Sequence, residues 1–156
     1  MTIAHQPSVR NTVANTVVDL IDAGTAAANG TIIITTSAVS APVGDTPLAP
    51  TTTGDGLIAT LVFSGPQSTG ANTTAFKNAA ADGANTGQCL ANPVDPDLST
   101  LAGTADKFFV RNSDNVVIFS GTVRAADGGG DISLSSLGIG TNDSISITTL
   151  TYQAPL

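Results

Sequence analysis

Short β-branched or alternating apolar segments, separated by turn residues, constrain the fold of this chain more than any other feature. Residues 31–36 (TIIITT) are β-branched throughout, and residues 57–63 (LIATLVF) alternate, with Leu57 predicted on the same face as Ala59. Sixteen glycines, eight prolines and twelve aspartates supply the chain reversals between such segments. Because no strand–helix–strand alternation is present, we expect mostly antiparallel sheets.

The clearest β signal is a hairpin in the second half of the chain. Residues 107–112 (KFFVRN) and 116–123 (VVIFSGTV) flank a three-residue polar loop, SDN. Alternation predicts that Phe109 shares a face with the charged residues at 107 and 111. On the returning strand, Val117 is predicted on the same face as Phe119.

Other strands are shorter or less regular. Residues 87–94 and 132–134 are predicted as short strands, and residues 144–152 (SISITTLTY) as the last strand, with a bulge near Thr148. Residues 72–81 are open to a second interpretation as a short Ala-rich helix. Phe76 is expected to anchor this poorly patterned region to the core.

One helix is predicted near the start of the chain, over about residues 8–23. Ser8 is its expected N-cap, and Gly24 is expected to end it in a left-handed conformation. A strand over residues 16–21 is the alternative. The face predicted to be buried consists of apolar residues at helical spacing, namely Val9, Val13, Val17, Leu20 and Ile21.

These patterns together predict one mainly β domain, an antiparallel β-sandwich or jelly-roll-like fold with one N-terminal α-helix. The domain is expected to span residues 8–156, preceded by an N-terminal arm of residues 1–7. The length of 156 residues is typical of a single domain with its own core.

Composition excludes several classes of function. The formal net charge is −7 with no basic cluster, which makes phosphate-based nucleic-acid binding improbable. A single Cys and a single His exclude an internal disulfide and ordinary structural zinc sites. No apolar run approaches the roughly 20 residues of a membrane span, and no secretory signal is recognisable. We therefore expect no cofactor, no membrane partner and no nucleic-acid partner.

Candidate catalytic groups are few, and the sequence predicts that the protein is not an enzyme. His5 lies in the predicted arm, and Cys89 has no evident activating base, so neither indicates a nucleophilic site. Asp95 and Asp97 are interpreted as turn residues, although paired carboxylates leave a hydrolase open as the last-ranked alternative. The sequence DGGGD at 127–131 is interpreted as a flexible turn, with calcium binding as the alternative.

The residues most expected to contact partners lie in the arm and in a proline- and threonine-rich loop, residues 37–56. A loop of this length in a compact domain is unusual and often functional. Phe109 is added because it shares a strand face with charged residues. The predicted interface residues are Ile3, His5, Pro7, Pro42, Val43, Pro47, Leu48 and Phe109.

Several segments resemble small virion structural proteins of tailed bacteriophages. The similarity runs through VRNTVANTVVDLIDAG at 9–24, LIATLVFSGP at 57–66, ADKFFVRNSDNVVIFSGTV at 105–123 and SISITTLTY at 144–152. It covers most of the chain as a pattern of elements and contains no catalytic signature.

The resemblance implies a structural component of a phage particle, made in the host cytoplasm and located in the virion. A capsid decoration, or cement, protein that binds between major capsid subunits is the leading expectation. A small homo-oligomer is expected, with a trimer as the first choice because capsid three-fold positions favour one. The alternative is a tail or neck component, such as a host-surface or carbohydrate-binding module.

Overall fold

The computed structural model describes residues 6–25, 29–64, 75–77, 79, 87–126 and 128–154. The fold is mainly β and β-sandwich-like, with one helix near the N-terminus, which confirms the predicted fold class. A short 3-10 helix, Thr53–Asp55, lies between the first two strands. The other elements are α1 Pro7–Asp19, β1 Thr31–Thr35, β2 Leu57–Phe63, β3 Gln88–Leu90, β4 Val94–Asp95, β5 Gly103–Thr104, β6 Lys107–Arg111, β7 Val117–Ala125, β8 Ile132–Leu134, β9 Gly138–Ile139 and β10 Thr151–Gln153.

Six strands form the main sheet in the order β4-β2-β1-β6-β7-β8. All neighbours in it are antiparallel except β7 and β8, which run parallel. Gly128 and Gly130 allow the chain between β7 and β8 to turn closely past Arg124, because a Cβ at either position would lie within 3 Å of Arg124 atoms. Two smaller antiparallel sheets, β10–β3 and β5–β9, complete the described structure.

The two faces of the main sheet carry separate apolar clusters, as strand alternation requires. Ile32 and Ile34 of β1 belong to the larger cluster, which also includes residues of α1, β3 and the C-terminal segment. Ile33 points to the opposite face, where it packs with Val39 and Phe109. The hairpin predicted at 107–123 is confirmed, with Asn115 in its loop at φ 63°.

Two β-bulges place Leu57 and Val117 on the opposite face from the one predicted. The pairing of β1 with β2 shifts between Ile34 and Thr35, and this puts Leu57 in the smaller cluster while Ala59 is in the larger one. The pairing of β6 with β7 shifts between Val110 and Arg111, so Val117 and Phe119 also lie in different clusters. An extra residue in one strand reverses the facing of everything beyond it.

The helix differs from its predicted bounds and caps. It begins at Pro7, after an extended Gln6 that makes no side-chain cap, and it ends at Asp19, which excludes the alternative strand. Gly24 does not have the expected left-handed conformation. A glycine is required there for a different reason, because a Cβ would lie 1.9 Å from Ser113 Oγ in the hairpin loop.

The last predicted strand is wrong over most of its length. Ile145 forms only an isolated bridge with Asp97, and regular pairing resumes at β10, against β3. The prediction of a continuous bulged strand failed because the chain changes sheet partners between these two points. The strand expected within 87–94 is present as β3 and β4.

Phe76 is buried, as expected, and anchors its segment through ring contacts. Its centroid lies 5.6 Å from that of Phe63 and 6.3 Å from that of Phe119. Most of the alternative helix at 72–81 lies outside the described residues. No helix in the described part of the chain is long and apolar enough to cross a membrane.

Candidate assembly surface

The outer side of α1, together with its C-cap residue Leu20, presents an apolar stripe to solvent, which we call the helix surface. It consists of Val9, Val13 and Leu20, whose side chains are 44%, 40% and 47% exposed. The sequence predicted burial for these three residues, which is wrong, and for Ile21, which is confirmed. The helix instead buries Ala14 and Val18, followed by Ile21 after its end.

Two asparagines explain why α1 packs with its Ala14 and Val18 side against the core. Asn11 Oδ1 accepts a hydrogen bond from the backbone N–H of Gly87, and Asn15 Oδ1 accepts one from the N–H of Ala79, both at 2.6 Å. Backbone N–H groups removed from water need such acceptors. Turning the asparagines toward these segments also turns Ala14 inward and leaves the helix surface exposed.

Contiguous exposed apolar side chains on one helix face are typical of a protein–protein contact. Residues at i, i+4 and i+11 lie on one side of a helix, so the helix surface is a single stripe rather than scattered positions. The sequence contained a signal for this arrangement, because Ala14, Val18 and Ile21 form a second stripe at i, i+4 and i+7.

The predicted arm and loop residues fall in different environments. Ile3 and His5 lie outside the described residues. Pro7 is the first residue of α1, not part of an arm, because its fixed φ and missing N–H suit the first helical position. In the loop, Val43 is 95% exposed and Pro47 is also exposed, whereas Pro42 is half-buried.

Leu48 and Phe109 face the protein's own interior, which corrects their assignment to an interface. The loop at 37–56, which we call the covering loop, lies over the smaller cluster and places Leu48 against it. Phe109 is consequently only 2% exposed. The layer that covers this strand face is therefore supplied by the chain itself.

Two basic side chains of β6 hold the covering loop in place. Lys107 Nζ donates to the carbonyl oxygens of Ser37 and Val39 at 2.9 and 2.7 Å. The Arg111 guanidinium donates to the Leu48 carbonyl and to Thr31 Oγ1. Burial lowers the pKa of Arg111 to about 10. These contacts fix the inner part of the loop and leave Val43 at its exposed tip.

Replacement of Arg111 by Met should loosen the covering loop. The variant leaves the Leu48 carbonyl and the Thr31 hydroxyl without their donor, which should lower the free energy of unfolding by about 1–3 kcal/mol. Urea denaturation measures this loss, and increased binding of a hydrophobic dye would report the uncovered cluster. Arg124→Met is the matched control, because the side chains of its ion pair with Asp106 are 40% and 33% exposed, more than Arg111 is, and the pair should contribute about 1 kcal/mol or less. Equal losses in the two variants would contradict this role for Arg111.

Asp22 gives the fold a specific pH dependence. Burial raises the pKa of its carboxyl from 3.8 to about 6; the hydrogen bond from Ala75 N–H opposes the shift, and the charge of Asp19 adds to it. Because the folded pKa exceeds the unfolded one, ionised Asp22 destabilises the fold above about pH 6, and this penalty disappears between about pH 6 and 4.

Asp22→Asn should therefore stabilise the protein at pH 7.5, with a gain that declines toward pH 4. The asparagine Oδ1 can still accept the Ala75 N–H, so the hydrogen bond is retained. Urea denaturation of both proteins at pH 7.5, 6, 5 and 4 measures the difference. A variant that is less stable by the same amount at every pH would show that the charge of Asp22 is not the destabilising feature.

The groups that suggested chemistry occupy structural positions. Cys89 is buried, its Sγ lies 3.5 Å from Asn15 Oδ1, and burial raises the pKa of its thiol. Asp97 Oδ2 accepts from Thr60 N–H at 2.7 Å, and Asp97 Oδ1 accepts from Ser99 N–H at 2.8 Å, so it holds a turn against β2. Asp127 lies outside the described residues. Among the residues that are described, no three potential metal ligands lie together.

One cavity of about 460 Å³ lies beside β3 and β4. Its lining is mainly aliphatic and hydroxyl-bearing, and Lys77 is the titratable side chain among the described lining residues. A single lysine without a facing acid or base does not form a general acid–base pair.

No family model, curated protein or solved structure matches the chain.

Proposed function

We propose that this protein is a structural component of a tailed-bacteriophage particle, a capsid decoration protein that binds between major capsid subunits. The observation that carries the proposal is the helix surface, because three aliphatic side chains of α1 and its C-cap remain 40–47% exposed in a domain that buries a large apolar cluster elsewhere. Such a stripe is stabilised when a partner removes it from water.

The surface chemistry is consistent with permanent contact. Charged residues form only 11% of the chain, and all twelve acidic residues are the short Asp, with Glu absent. Long Lys and Glu side chains lose more rotamer entropy when an interface immobilises them. A surface poor in those residues can be covered at a lower entropic cost.

The covering loop supports the same function. Lys107 and Arg111 fix the inner part of the loop by hydrogen bonds. The exposed tip at Val43 therefore loses little conformational entropy when a partner binds it. Together, the tip and the helix surface provide two apolar contact regions. The resemblance to small phage virion proteins suggests the partner, the major capsid protein.

The copy number per particle tests this proposal. Purified particles that contain the protein should carry hundreds of copies, measured by quantitative mass spectrometry against the major capsid protein. Six or twelve copies would instead support a tail or neck component, and absence from purified particles would contradict a virion role. Binding of the isolated domain on a glycan array would favour the carbohydrate-binding alternative.

A further inference from the structure

The strand β8 leaves one edge of the main sheet open. Among the described strands it pairs with β7 alone, and the Leu134 carbonyl accepts a hydrogen bond from Ala126 N–H at 2.9 Å. Because successive residues of a strand direct their N–H and C=O groups to opposite edges, Ser133 directs both groups away from β7. An edge of this kind can pair with another extended chain.

A groove runs along this open edge. Two cavities of about 420 and 310 Å³ share Ser133, Leu134 and Ser146 as lining residues, so they adjoin one another along β8. The facing wall is the segment 143–151. No backbone hydrogen bond between described residues involves residues 146–149. Among the described residues, the open backbone groups that the pairing identifies are therefore those of Ser133 on β8.

The side chains in the groove define the chemistry of what fits there. Aliphatic and hydroxyl side chains alternate over residues 132–135 on one wall and 144–148 on the other, for example Leu134 beside Ser133 and Ile147 beside Ser146. One carboxylate lines each cavity, Asp131 in the smaller and Asp143 in the larger.

Hydrogen bonds fix both carboxylates. Asp131 Oδ2 accepts from the Thr122 N–H and hydroxyl at 2.8 and 3.0 Å, which lowers the pKa of Asp131. Asp143 Oδ2 accepts from Gly140 N–H at 2.6 Å. A negative charge is therefore held at a defined place in each cavity.

We propose that this groove binds an extended polypeptide segment of a partner protein, which adds as a strand to β8 and carries a Lys or Arg on each side of an alternating aliphatic and hydroxyl stretch. The open backbone supplies the pairing, and the two carboxylates select the basic flanks. A second copy of this chain is disfavoured as the occupant, because pairing β8 with itself would bring four carboxylates together in a protein of net charge −7. The groove is separate from the helix surface, so either can fail without the other.

Peptide binding to the full chain tests the proposal. The probe is acetyl-Lys-Val-Thr-Val-Thr-Val-Lys-amide, compared with the same peptide carrying Glu at both ends, and the readout is the amide NMR spectrum during titration. We expect saturable binding of the Lys-flanked peptide, with the Ser133 amide signal shifted and its hydrogen exchange slowed. The Glu-flanked peptide should bind at least tenfold more weakly. No saturable shift with either peptide at millimolar concentration would overturn the proposal.

Variants at Ser133 separate strand addition from other modes of binding. Ser133→Pro removes the outward N–H without removing a hydrogen bond to β7, and it should weaken binding at least tenfold, whereas Ser133→Ala should bind within about twofold of the parent. Equal binding by Ser133→Pro would overturn strand addition. If Ser133→Pro does not fold, the Asp131→Asn/Asp143→Asn double variant decides, because it keeps the acceptors and should lose the preference for Lys flanks. An unchanged preference in that variant would overturn the proposed selection.

Discussion

Val13→Asp should abolish incorporation of the protein into particles while leaving the isolated domain folded. Val13 lies on the helix surface, already 40% exposed, so a charge there remains hydrated in the free protein. In an assembled particle the same carboxylate would be removed from water without a cationic or hydrogen-bonding partner, at a cost of about 3 kcal/mol or more. That corresponds to at least about a hundredfold loss of affinity. Occupancy of purified particles measures the effect.

Thr12→Asp is the matched control for this variant. It adds the same charge and the same helix propensity one residue earlier, at an exposed position outside the stripe. Occupancy close to that of the parent is expected for this control, and both variants should show the helical and thermal signals of the parent. Normal incorporation of Val13→Asp would remove the helix surface from the proposed contacts and leave the loop tip as the remaining candidate.

Of the substitutions that we propose, Phe63→Ala should lower the free energy of unfolding the most. The ring is fully buried in the larger cluster and continues an aromatic series through Phe76 and Phe119 to Tyr152. Removing such a side chain leaves a cavity and costs about 3–5 kcal/mol. A domain of this kind has only about 5–15 kcal/mol of stability in total.

Urea denaturation monitored by circular dichroism measures this loss. Val43→Ala is the control, because Val43 is 95% exposed and its truncation should change the free energy of unfolding by less than about 0.5 kcal/mol. If Phe63→Ala is unfolded without urea, Phe63→Leu gives a measurable series, with an expected cost of about 1 kcal/mol. A loss below about 1 kcal/mol for Phe63→Ala would show that the ring does not stabilise this core as its burial implies.

Local patterns predicted the elements whose facing depends only on near neighbours. The hairpin at 107–123 was predictable because two β-branched and aromatic runs flank a short polar loop, and β1 was predictable because its residues are β-branched throughout. The facing of Leu57 and Val117 was not predicted, since each depends on a bulge that forms only when the strand pairs with its partner, β1 for Leu57 and β6 for Val117. The division of residues 144–152 between a bridge to Asp97 and pairing with β3 was not predicted either, because it also depends on which strands the chain pairs with.

The candidate site was predicted less well than the fold. The exposed tip at Val43 was identified from the loop composition, but Phe109 was assigned to an interface when the chain's own loop covers it. The helix surface was assigned to the core. Each error concerned what a face packs against, which spacing along the chain does not specify.

The sequence by itself determined that this chain forms one helix and many short strands, because helical periodicity and β-branching act over a few residues. Only the tertiary structure decided which of the two apolar stripes of the helix would be buried. Asn11 and Asn15 satisfy backbone N–H groups at Gly87 and Ala79, more than sixty residues away, and so turn the helix. Hydrogen bonds between parts so distant in the chain leave no trace in local periodicity, yet they place three aliphatic side chains at the surface.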